Sequence, residues 1–181
     1  DKLVLGGGMA NTFLLAQGKP IGASLAEPNM IKTAQNILKV AKLNDCKILL
    51  PRDVVVAVEF KLDAAYRIVT IDDVTDSEMI LDAGPEAVID AGSFLENCGT
   101  IVWNGPMGVF ELTSFEKGTK ELAHAVADSQ ALTIVGGGDS VTAVKKYNLG
   151  ESMSFISTGG GASLELLEGK ELPGVTALTD I

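Results

Sequence analysis

Three times in this chain a β-branched run enters glycines and leaves into a helical pattern. The segments are KLVLGGGMANTF at 2–13, TIVGGGDSVTAV at 133–144 and SFISTGGGASLELL at 154–167. Strand, glycine turn and helix in that order form the unit from which open parallel sheets are wound, so this feature narrows the fold more than any other. Further short apolar runs at Lys47–Leu50, Val54–Val58, Arg67–Ile71 and Thr100–Trp103 fit the same scheme. Most are continuous rather than alternating, as strands buried on both faces of a parallel sheet should be. Between 54–58 and 67–71 the stretch EFKLDAAY is short enough for a hairpin. Helical spacing is clear at Ile31, Ala34, Leu38 and Ala41, with Asn29 as N-cap, and again at Phe115, Thr119, Leu122 and Val126. The expected class is α/β: a three-layer αβα sandwich with a mostly parallel, Rossmann-like sheet.

A chain of 181 residues, 46% of them hydrophobic, is one domain by size and can cover its core. With a formal charge of −10 and only two arginines it offers no track for a polyanion, which argues against nucleic acid. No long apolar stretch or leader pattern points to a membrane. Cys46 and Cys98 lack metal-site spacing, so a reducing, cytoplasmic setting fits, with one bridge left open. The chain enters a strand within two residues of Asp1, which reads as part of something longer. From Pro173 and Gly174 the last helix should break and 173–181 should leave the domain as a hinge or tail.

In an open parallel sheet, ligands bind at the carboxyl ends of the strands, and every glycine run falls there. Helix N-termini present unpaired N–H groups and a partial positive charge, and glycine lets a phosphate approach them without a Cβ in the way. One such run is adequately explained as a tight turn. Three, plus the related loop WNGPMGVFE at 103–111, point to a phosphate-bearing ligand. A dinucleotide fingerprint fails because Asn11 stands where its third glycine belongs, and no Walker A loop is present. Asp139 reads either as a first-turn acid or as a carboxylate that holds Mg²⁺ against a nucleotide. Glu111 is either a solvated loop acid or an acceptor for ribose hydroxyls. His124 has no nucleophile constellation around it, and Trp103 reads as core more than as a base-stacking residue.

The motifs GGGMANTF, GASLAE, LLPRDVVVA, LDAGP, WNGPMGVFE, GGGDS and STGGGASLELLEGKELPGV occur in this order from Lys2 to Val175. Together they resemble the C-terminal, nucleotide-binding half of the phosphoglycerate kinase family. That resemblance implies reversible phosphoryl transfer between 1,3-bisphosphoglycerate and ADP, with Mg²⁺, to give 3-phosphoglycerate and ATP in glycolysis. It implies that 1–172 is the nucleotide domain, that phosphoglycerate binds only with a separate N-terminal domain, and that the whole enzyme is monomeric. Carried over by motif, Gly6, Gly7 and Gly8 lie against the nucleotide, with Leu25 and Leu81 near the adenine, Asn104 near the phosphates and Glu111 on the ribose. Gly137 and Gly138 pack on the nucleotide, Asp139 holds Mg²⁺, and Ser140 stands at the helix N-terminus. Gly159, Gly160 and Gly161 aim helix amides at the transferring phosphoryl group.

Three residues depart from the family pattern. Ser140 replaces a threonine and keeps the hydroxyl, Ile80 replaces a glycine and tightens the adenine side, and Phe155 replaces a histidine and removes a hinge hydrogen bond. The family's nucleotide lysines lie on a strand and helix upstream of GGGM, outside this sequence. Their loss should leave the 181 residues inert, and a missing central strand should open an edge to self-association. The alternative is a non-catalytic nucleotide-binding module of the same fold.

Overall fold

A computed structural model describes residues 1–157 and 159–178. The chain runs β1 (Lys2–Val4), α1 (Gly7–Ala16), α2 (Ile31–Leu43), β2 (Lys47–Leu49), β3 (Asp53–Ala57), β4 (Tyr66–Thr70) and β5 (Met79–Ala83). It continues α3 (Pro85–Leu95), β6 (Thr100–Asn104), α4 (Lys117–Ala127), β7 (Leu132–Gly136), α5 (Gly138–Lys146), β8 (Phe155–Ser157), α6 (Gly160–Leu167) and the single turn α7 (Pro173–Thr176).

Strands β1 and β2 pair in parallel, as do β6, β7 and β8 in that order. Helices α1 and α2 pack on each other, as do α3 and α4, giving the αβα sandwich expected from the strand and helix alternation. The largest core cluster lies between these layers, with Trp103, Phe110, Leu122, Val126, Val135 and Val144 at its centre. Helices α3, α4 and α5 all contribute to it, α4 through Leu122 and Val126 of the stripe read in the sequence. Thr119 is buried too, whereas Phe115 lies in a 3₁₀ turn (Thr113–Phe115) ahead of α4 and packs in a separate cluster with Val55 and Leu81.

The parallel expectation does not extend to residues 53–83. There β3 lies between β4 and β5 and is antiparallel to both, with a register shift between Val55 and Val56. The short 58–65 connection makes β3 and β4 a hairpin, as its length allowed. All five residues of β3 are buried although its neighbours are antiparallel. Helix α3 packs against this strand, and the Val54 and Val56 side takes Leu14 of α1 and Ile21 of the connection after it, so both faces are covered without parallel pairing.

Asn29 is not the N-cap of α2. Pro28, with its fixed φ, opens a 3₁₀ turn over Pro28–Met30 that runs straight into the helix, so Met30 occupies the cap position and Asn29 lies inside the turn. Helix α3 takes its cap from a distant strand instead. Asp53 accepts from the Ala87 amide at 2.6 Å and the Glu86 amide at 3.1 Å, which satisfies two donors of the first turn. At the other end of the chain, α6 has already stopped at Leu167, and Pro173 begins a turn rather than ending a helix. Of the expected 173–181 tail, residues 179–181 lie outside the described residues.

Candidate functional site

In the parallel sheet Asn104 pairs with Gly136 and Gly136 with Ser157, so three strands finish in one row. The β7–α5 and β8–α6 glycine turns leave from that row, and the sheet register sets them side by side. A Cβ on Gly160 would run into the Gly137 backbone, and one on Gly137 would stand 2.9 Å from Asn104 Oδ1. Gly137 also sits at φ +87°, where an L side chain is strained. Glycine is required here because two backbones and one amide side chain meet at contact distance.

Around this meeting point lies a cavity of about 300 Å³, lined by Asn104, Gly105, Gly137, Gly138, Asp139, Ser140, Gly160, Gly161 and Leu164. Seven of these were candidates from the sequence. The first residues of two helices, α5 and α6, contribute their N–H groups to it, and neither helix has a side-chain cap. The one charged residue in the lining is Asp139, exposed in the first turn of α5 and in no ion pair among the described residues. Ser140 is fully buried, and its hydroxyl accepts from the Gly105 amide at 2.7 Å. That bond ties the third position of α5 to the turn after β6. Ser157 and Ser163 hold the α6 entry: their hydroxyls lie 3.1 Å apart, and Ser163 Oγ donates to Gly159 O. Gly159 itself is exposed just outside the cavity lining.

Residues 104–111 form the hub that joins the remaining candidates. The Gly7 amide donates to Met107 O at 3.0 Å, and a Cβ on Gly6 would meet Met107 Sδ at 2.6 Å. Gly7 adopts φ +57° beside Pro106 O. On the far side the Val109 amide donates to Leu81 O at 2.8 Å, and the Met107 amide to Thr119 Oγ1 at 3.1 Å. The first glycine run, the β5 end and the start of α4 thus all attach to one loop. Leu25 is 80% exposed, its carbonyl accepts from Asn11 Nδ2, and its side chain stands where a Cβ of Gly8 would touch it. Leu81 turns inward to an apolar cluster with Val55, Val109 and Phe115. Glu111 closes the loop, exposed beside buried Phe110.

Gly105 and Leu164 line the cavity without having been singled out. The Asn-Gly-Pro turn was the available signal for Gly105; Leu164 becomes a lining residue only through α6 geometry. Trp103 is core, 6% exposed, with its indole N–H on Gly105 O at 2.7 Å. His124 is half-buried in the last turn of α4. Both cysteines are free, and the described residues contain no cluster of three or more His, Cys, Asp or Glu side chains able to hold a metal. None of the described helices is long and apolar enough to cross a membrane.

The phosphoglycerate kinase family model matches residues 1–170. The chain belongs to the phosphoglycerate kinase family. Phosphoglycerate kinase of Herpetosiphon aurantiacus is 54% identical over 180 residues, and that of Moorella thermoacetica is equally similar. Each alignment takes in 99% of this chain and 46% of the relative, so the chain spans less than half the length of the curated phosphoglycerate kinases it matches. Among solved structures, phosphoglycerate kinase from Coxiella burnetii superposes with a TM-score of 0.93 at 48% identity, over 97% of this chain and 45% of that one. The Pyrococcus horikoshii enzyme gives 0.83 at 32% identity, over 98% of this chain and 45% of that one.

Proposed function

We propose that this chain is the ADP/ATP-binding half of a phosphoglycerate kinase, which moves a phosphoryl group reversibly between 1,3-bisphosphoglycerate and ADP. The observation that carries the reading is the 300 Å³ cavity in which two helix N-termini, the packed pair Gly137 and Gly160, and Asn104 surround space that side chains would otherwise fill. Phosphoryl transfer asks a protein mainly for positioning and charge stabilisation, and backbone N–H groups supply both without cationic side chains.

In this reading the amides of Gly138, Asp139, Gly160 and Gly161 donate to phosphate oxygens. Asn104 orients them from the β6 end, and the first glycine run with Leu25 and the Leu81 segment flanks the base. Glu111 takes the ribose hydroxyls. Mg²⁺ would sit with the nucleotide phosphates on Asp139, the one carboxylate of the lining, and would neutralise charge on the oxygens it touches. Phosphoglycerate would come from a separate N-terminal domain. The two free thiols support a cytoplasmic setting.

No lysine or arginine lines the cavity, so the 181 residues alone should be inert: single stabilising groups of this kind are worth roughly two to three decades in rate. Calorimetric titration with Mg-ADP tests the site. Saturable binding, weakened about tenfold or more by Asp139→Ala and by Glu111→Ala, is expected from loss of one charged contact each. A folded chain that takes up no Mg-ADP would overturn the reading of the cavity as a self-sufficient nucleotide site. Steady ATP formation from 1,3-bisphosphoglycerate and Mg-ADP would overturn the predicted inertness.

A further inference from the structure

Asp82 lies beneath the 104–111 loop, 1% exposed, in the middle of an otherwise apolar strand. One carboxylate oxygen, Oδ2, accepts from the Gly118 amide at 2.6 Å. The other, Oδ1, is buried with no hydrogen-bond partner. It is held between two glycines: a Cβ on either Gly108 or Gly118 would collide with it. On each side of this wedge a loop amide donates a hydrogen bond that fixes the same loop, Val109 N to Leu81 O and Met107 N to the Thr119 hydroxyl Oγ1. An unpaired buried polar atom is costly, and such groups call for an explanation.

We propose that Asp82 is a positioning residue for the 104–111 loop, its carboxyl wedged between Gly108 and Gly118 so that its protonation state sets how firmly the loop is seated. Its link to nucleotide binding rests on the reading of that loop given above. The surroundings favour the neutral form. Across β3 the facing residue is Val55, and the approach to α4 places the negative Glu116 nearby. From α5, Lys146 pairs with Glu116 at 2.6 Å and donates to Phe110 O at 2.7 Å, and Tyr147 Oη stands 3.5 Å from Glu116. Glu111 adds negative charge on the loop side, acting on Tyr147. Lys146 is therefore engaged with Glu116 and the loop carbonyl. Lys117 and Glu121 of α4 and Tyr66 of β4 line the cavity that Asp82 borders on its other side, and Lys117 is not among the groups that act on the Asp82 carboxyl. Burial, the largest cause, together with Glu116 pushes the Asp82 carboxyl up to about 7 against the pull of the Gly118 and Ala83 amides. Once ionised, Asp82 holds a buried charge with one bare oxygen, and the available relief is for Gly108 to lift and admit water. The loop should loosen as pH rises through neutrality.

Trp103 is the only tryptophan, and its indole N–H bonds Gly105 O within the loop, so its ¹H–¹⁵N resonance reports seating without any nucleotide. In the wild-type chain this resonance should titrate with a midpoint near 7, and protection of the Val109 and Gly118 amides, corrected for intrinsic exchange, should fall at least about tenfold across it. His124→Gln should keep the transition and Asp82→Asn, whose carbonyl can still accept from Gly118, should abolish it. A resonance that does not move, a transition that survives Asp82→Asn, or one that vanishes with His124→Gln overturns the proposal. If Asp82→Asn fails to fold, the wild-type titration, the amide protection and the His124→Gln arm still decide it. Mg-ADP affinity should weaken over the same pH range. Absence of Mg-ADP binding at every pH counts against the nucleotide reading, while the Trp103 titration judges Asp82 independently.

Discussion

Adjacent glycines at the start of α6 should respond in opposite directions to alanine. At Gly161 a Cβ meets nothing within 4 Å, so Gly161→Ala adds helix propensity and restricts the unfolded chain, a gain of about 0.5–1 kcal/mol. At Gly160 the same Cβ lands on the Gly137 backbone, with the Gly137 nitrogen at 2.5 Å, and backbone cannot rotate away as a side-chain end can. Overpacking of this kind costs about 1–3 kcal/mol, against which the same propensity gain is set, so Gly160→Ala should lose about 1 kcal/mol net. The two variants then differ by about 2 kcal/mol, or roughly 4–8 °C in Tm for a domain of this size. Differential scanning calorimetry reads that gap directly. Gly160→Ala should also displace the β7–α5 turn and weaken Mg-ADP binding. Two variants with the same Tm would refute the contact between the glycine turns, and with it the claim that glycine at 160 is required by packing.

Other outcomes follow from single contacts. Asp53→Ala removes both side-chain acceptors at the start of α3 from a buried position and should cost about 2–4 kcal/mol, read by chemical denaturation. Thr119→Val keeps the shape but leaves the buried Met107 amide unpaired; a loss of about 1–3 kcal/mol is expected, with faster exchange at that amide. Glu78 accepts from Arg67 at 2.6 and 2.7 Å and from Thr75, contacts that hold its carboxyl down at about 2 against an ordinary 4.5. Because the folded value is the depressed one, this contribution is complete above about pH 5 and is lost as pH falls through about 2. Acid titration of stability should show that loss in the wild-type chain and a flatter profile in Glu78→Gln.

The parts of the fold legible in the sequence were those whose local pattern and tertiary role agree. Thr119, Leu122 and Val126 read as one helical face and are buried as one, with Phe115 buried in the 3₁₀ turn ahead of them, and Phe155–Ser157 is a strand as read. Valines 54–56 misled because a continuous β-branched run records burial on both faces, and burial does not encode the direction of the neighbouring strand. Strand β5 escaped notice because Asp82 and the approaching Gly-Pro make MILDAGP look like a loop; only the Gly118 amide, 36 positions on, explains an acid there. Helix α3 was missed for a related reason, since its cap is Asp53 and local capping rules look one to three residues away. For the site, glycine runs at strand ends announced the cavity, whereas Ser140 bound to Gly105, and Leu164 across from them, depend on register between strands. Leu81 shows the limit of motif reading: the motif places the residue by the loop, and the structure turns its side chain into the core.

Asn104, Gly137 and Gly160 come from three strands separated by about thirty and twenty residues of intervening chain, yet each contact among them is made by backbone or a short amide. Such a cleft has no partial form. Until β8 docks on β7 and α6 grows from it, Gly137 has no wall opposite, and a chain still emerging from the ribosome at residue 150 would carry two of the glycine turns with nowhere for a ligand to rest. Closing these non-local contacts belongs among the slower steps of folding. On the proposed nucleotide reading, ligand capture should therefore arrive late and abruptly during synthesis, which would make a tethered nucleotide analogue a sensor of completed folding for this chain.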